Sequence, residues 1–152
     1  MTNENIIAQL TSKDTMAARE FAEMIMVESQ LSDKWYKHFD TFASLLNHPN
    51  SYVRNNIFYI IAQNVQWDND DKFDAIFEDF ISHITDEKPI TARQCIKALG
   101  ELGAYKHKYV PRIIMAFRNA DLSKYKNSML PLIRHDMYET ENLLLNHIHF
   151  DK

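Results

Sequence analysis

Apolar side chains recur at intervals of three and four along almost the entire chain: in NIIAQL, MAAREFAEMIMVESQL, KWYKHFDTFASLLN, YVRNNIFYIIAQNV, KFDAIFEDFISHI, ITARQCIKALGEL, YVPRIIMAFRNA, SMLPLIRH and ETENLLLNHI. That spacing puts them on one side of an α-helix, so nine helical segments are predicted. Only two glycines and four prolines occur in 152 residues. This leaves little material for tight hairpins or phosphate-cradling loops, and a β-rich or nucleotide-binding fold is disfavoured. The chain is expected to be all-α.

The breaks between segments carry helix-start chemistry. Ser32 and Asp33 precede Lys34, Asn50 and Ser51 precede Tyr52, Asp70 and Asp71 precede Lys72, and Thr85 and Asp86 lie ahead of Pro89. Short connections of this kind make consecutive helices antiparallel neighbours. Pro131 falls inside SMLPLIRH, so a helix there must start near Leu130 or kink. No linker or low-complexity tract divides the chain, and its length suits a single domain over residues 1–152 with a continuous core.

A small or apolar residue followed by a cation near a helix start recurs at Ala18 and Arg19, Val53 and Arg54, Ala92 and Arg93, and Tyr125 and Lys126, with spacings of 35, 39 and 33 residues. Periods of this size with two helices per unit are the signature of α-solenoids. Here the chain resembles HEAT repeats, whose second helix follows an acidic-Pro-acidic turn and opens with an apolar residue and an arginine. HPNSYVR shows this with His48 and Asn50 in the acidic positions, EKPITAR with Glu87 and a displaced Pro89, and IKALGELG continues as the family's second helix does. KDTMAAR and ADLSKYK match less closely. The resemblance implies a right-handed α-solenoid of about four HEAT-like helical hairpins with a C-terminal closing helix. It also implies that Arg19, Arg54, Arg93 and Lys126 form a structural ladder to neighbouring repeats.

An ideal helical wheel places Val53, Ile57, Ile60 and Ile61 together, with Arg54 at the edge of that apolar face. Its stem can pack there while its head reaches a neighbouring turn. Opposite lies an uncharged stripe of Asn55, Asn56, Tyr59, Gln63 and Gln66. The resemblance places second helices on the concave surface, extended by Gln94, Lys97 and Glu101. Amides and a phenol both donate and accept hydrogen bonds, which suits a peptide or protein partner.

Signals for chemistry are sparse. The seven histidines are scattered, and His147 and His149, two apart, point to different helix faces and do not suit a shared metal ion. HEAT-like di-iron hydroxylases use His-Glu pairs, to which His135 and Asp136 are the nearest approach. WDNDD lacks the glycine and glutamate of a calcium loop, since Phe73 and Asp79 stand there, and helix capping is the better reading. Cys95 sits in an apolar context as an expected buried thiol. No catalytic residue, metal site or cofactor is assigned.

The formal charge of −4 disfavours duplex nucleic acid, no stretch reaches the length of a membrane span, and one cysteine with no secretory leader points to the cytoplasm. The expected function is a non-enzymatic interaction module that binds a protein or peptide. The alternative is a DNA-binding or repair enzyme resembling HEAT-like alkylpurine DNA glycosylases, which would recruit Trp35, Trp67 and Asp68.

Overall fold

Helix ends are set by local side chains. In the computed structural model, which describes the backbone of residues 1–150 and the side chains of 1–148, Thr2 accepts from the Asn5 amide at 3.1 Å to cap α1 (Asn3–Leu10). Asp14 accepts from Ala17 N at 3.1 Å to cap α2 (Thr15–Leu31), and Asn50 accepts from Tyr52 N at 2.9 Å to cap α4 (Ser51–Asn64). Between them lies α3 (Phe39–Ala43), and after them α5 (Lys72–Ser82), α6 (Pro89–Tyr105), α7 (Val110–Asn119) and α8 (Leu130–Phe150). Among the described residues there are eight α-helices, four short 3-10 turns and no strand.

Two segments depart from the expected pattern. The long helix predicted from Lys34 to Asn47 is instead a 3-10 turn at Tyr36–His38, the five-residue α3 and a further turn. Side chains on both sides of this stretch are anchored. Trp35 is buried with its ring edge-on to Phe21 at 6.2 Å, and the Tyr36 hydroxyl donates to Asp68. The last two predicted segments are one helix, α8. Asp136 interrupts its apolar pattern, yet is buried against Arg93 of α6. Nine predicted helices thus become eight. Pro131 stands in the first turn of α8, where a missing N–H leaves no bond unmade.

The chain forms two compact units, Met1–Phe77 and Glu78–Lys152. In the first, α4 packs against α2 and α3, and α1 closes on α2. Its core joins Ile6 and Leu10, Ala22 and Ile25, Phe39 and Phe42, and Ile57, Ile60 and Ile61. In the second, α6 lies along α8 and meets α7. Ile96, Leu99, Leu102, Val110, Ile113, Ile133 and Leu144 are fully buried there.

Two glycines let α6 approach α8. A methyl group at Gly100 would meet Thr140 Cγ2 at 3.2 Å. At Gly103 it would intrude on Leu144 Cδ2, with Ile113 and Val110 methyls each 3.5 Å away. A side chain at Gly103 therefore has no room while Leu144 keeps its place.

Candidate interaction surface

α4 is buried on almost every side, including sides its polar residues occupy. Arg54 is only 5% exposed, and its Nη1 donates to the carbonyls of His48 at 2.8 Å and Pro49 at 3.1 Å. The guanidinium thus fastens the turn leading into its own helix. His48 Nδ1 accepts from the Asn50 amide at 3.0 Å in the same turn.

The amide stripe divides in two. Asn56 and Gln63 are buried, and Asn56 Oδ1 accepts from Arg19 Nη1 at 2.7 Å. Beside them, Asn64 Nδ2 donates to Ser29 Oγ at 3.1 Å, and the Ser29 carbonyl accepts from Gln66 at 3.2 Å and from the Trp67 indole at 2.8 Å. Polar groups therefore form a seam between α2 and α4. What remains accessible is narrower: Tyr52 is exposed at 64%, while Asn55, Tyr59 and Gln66 are half-buried. The Oδ1 atoms of Asn55 and Asn64 are buried without a hydrogen-bond partner among the described residues.

In the second unit, α6 shows a comparable strip. Lys97 is exposed and Gln94 and Glu101 are half-buried, with Ile90 and Tyr105 exposed at the two ends. Arg93 turns instead toward α8 and clasps Asp136, Nε to Oδ2 at 2.5 Å and Nη2 to Oδ1 at 3.4 Å. Donating to that carboxylate raises the Arg93 pKa above its ordinary value. Lys126 lies off any helix, exposed in the connection before α8.

The four periodic cations thus meet different surroundings. Arg19 bridges α2 to α4 while pairing with Glu23 at 2.8 Å, Arg54 holds its own turn, Arg93 joins α6 to α8, and Lys126 faces solvent.

Residues that a chemical reading would recruit are structurally engaged. Asp68 is buried, and its two oxygens accept from the amides of Lys72 at 2.9 Å and Phe73 at 2.8 Å, which caps α5. That cap was expected from Asp70 and Asp71. Asp71 instead takes a left-handed backbone with φ of 55°, and the chain turns so that Asp68 reaches the helix. Tyr36 donates to the same carboxylate, and burial followed by that bond raises its pKa. Nothing in the spacing of Tyr36 and Asp68 advertises a tie across 32 residues.

Cys95 is fully buried with its Sγ donating to the Phe80 carbonyl at 3.4 Å, and burial pushes its thiol pKa well up. Such a thiol stays protonated and shielded, the opposite of an activated nucleophile. The His147 ring lies 6.2 Å from that of His107, a pair the sequence did not suggest, while the side chain of His149 is outside the described residues. Among the described residues, no three His, Cys, Asp or Glu side chains converge as metal ligands, and no helix is long and apolar enough to cross a membrane.

Comparison with known proteins returns no matching family model, no similar curated protein and no similar solved structure.

Proposed function

We propose that the chain is a HEAT-like interaction module, a short right-handed α-solenoid without enzymatic activity that holds a protein or peptide on the accessible face of α4. The observation that carries the reading is the reach of the polar ties. Arg19 to Asn56, Asn64 to Ser29, Tyr36 to Asp68, Arg93 to Asp136 and Tyr125 to Asp86 join residues 37, 35, 32, 43 and 39 apart. Each tie spans about one repeat period, as expected where successive helical hairpins within each compact unit stack on one another. The engaged states of Cys95, Asp68 and Trp67 fit a scaffold better than a reaction centre.

Within that reading, Tyr59 is the anchor of the face. It is half-buried between Asn55 and the buried Gln63, and tyrosines flanked by water-excluding neighbours dominate many interfaces. Affinity capture from native lysate with the wild type and Tyr59→Ala tests it. The variant should weaken the captured partner by about 2 kcal/mol, roughly thirtyfold, with only modest salt dependence. Equal affinity of the two proteins for that partner, or a steep salt slope typical of phosphate contacts, refutes this assignment.

A further inference from the structure

Between the end of α7, the connection over 120–129 and the first turns of α8 lies a cleft of about 590 Å³. We propose that this cleft receives an acidic peptide segment carrying a bulky apolar side chain, with Arg134 as the recognising cation. The volume falls within the range of sites that hold ligands of several side chains' size.

The floor is apolar. Phe117 and Met137 are buried at its base, and Leu122 and Leu130 are half-buried along its walls. An apolar side chain entering here covers surface that water now wets, which favours association.

The rim carries two arginines, Arg118 and Arg134, and two carboxylates, Asp121 and Glu141, and their pairing is uneven. On one side Arg118 pairs with Glu141, Nε at 3.0 Å and Nη2 at 2.9 Å, so that acid is already neutralised. Asp121 accepts from the Ser123 amide at 3.0 Å and closes the connection on itself. On the other side Arg134 is exposed, one turn before the exposed Tyr138, and has no hydrogen bond or ion pair among the described residues. A guanidinium offers a planar fork that matches a carboxylate, and a phenol beside it adds a further donor. An unsatisfied cation beside an apolar floor selects an acid next to an apolar residue, against the background of a chain whose net charge of −4 otherwise repels acids. The cleft lies wholly within the Glu78–Lys152 unit, so the proposal does not rest on Tyr59 or the α4 face.

The test is an NMR titration of the ¹⁵N-labelled full chain with a terminally blocked Glu-Leu-Phe-Glu peptide, its Gln-Leu-Phe-Gln counterpart and 3-phenylpropionate. Amide shifts should concentrate on Leu122, Ser123, Arg134 and Tyr138, and the glutamine peptide should bind about tenfold more weakly, the worth of one charge-assisted contact. Arg134→Gln, at an exposed position that leaves the thermal melt unchanged, should remove the preference for the acidic peptide. Shifts centred elsewhere, equal binding of the two peptides, an undiminished preference in Arg134→Gln, or phenylpropionate binding as tightly as the acidic peptide would each overturn the proposal.

Discussion

Gly103→Ala tests the close approach of α6 to α8. In an exposed helix this change stabilises by up to about 1 kcal/mol, because alanine has the higher helix propensity. Here the new methyl would intrude on Leu144 Cδ2 while touching the Ile113 and Val110 methyls at 3.5 Å, and Leu144 is itself fully buried, so it can yield only by repacking the core around it. Overpacking of this kind costs about 1–3 kcal/mol. The net expectation is a loss of about 1–2 kcal/mol, a fall in Tm of roughly 2–8 °C for a protein of this size.

Gly100→Ala is the internal control. Its nearest neighbour, Thr140 Cγ2, lies at 3.2 Å and needs to give only slightly, so this variant should sit close to the wild type. Thermal unfolding followed by circular dichroism, with Leu144→Ala as a second background, completes the cycle. Once Leu144 is shortened, Gly103→Ala should become neutral or stabilising. A rise in Tm for Gly103→Ala in the wild-type background, or the same loss in both backgrounds, would refute the reasoning.

Asp68→Ala removes the cap from α5 and the acceptor from Tyr36, and should cost about 2 kcal/mol; hydrogen exchange should accelerate first at the Lys72 and Phe73 amides, and unchanged protection there would argue against the assigned cap. The Tyr125 hydroxyl donates to the Asp86 carbonyl at 2.6 Å, and burial, with Asp86 and Cys95 nearby, raises its pKa from 10.0 to about 12. The folded phenol thus keeps its proton where the unfolded one loses it, so stability is complete below pH 10 and falls as pH rises toward about 12. Urea midpoints across that range should fall less steeply for Tyr125→Phe than for the wild type, and identical slopes would contradict the assignment.

Helical periodicity is a strong signal where one face of a helix is apolar, and α1, α2, α5, α6 and α7 follow it closely. It fails where inward positions are polar. Asp136 occupies a core-facing place on α8 because Arg93 meets it there, so the pattern reads as a break between two helices. The stretch after Lys34 fails for a different reason: Trp35 and Tyr36 are held by Phe21 and Asp68, partners far away in sequence, and the tighter 3-10 turn satisfies both.

The amide stripe on α4 was legible as a pattern but not as a surface. A wheel built from one helix cannot show that Arg19 and Ser29 of α2 bring polar groups against it. Gln66 likewise reaches the Ser29 carbonyl rather than standing clear of α2. The cleft beside Arg134 was invisible for a related reason, since it exists only where the irregular 120–129 connection folds across two helices.

The length of the polar ties also sets the order in which they can close during synthesis. Arg19 to Asn56, Asn64 to Ser29 and Tyr36 to Asp68 all lie within Met1–Phe77. Each becomes possible once about 35 further residues have left the ribosome, and loop closure over that length adds little entropy cost compared with shorter loops. At roughly 5–20 residues per second, the second unit needs several seconds to follow. The first unit's seam can therefore form before Tyr125 and Asp136 have left the ribosome, leaving few exposed apolar faces waiting for distant partners.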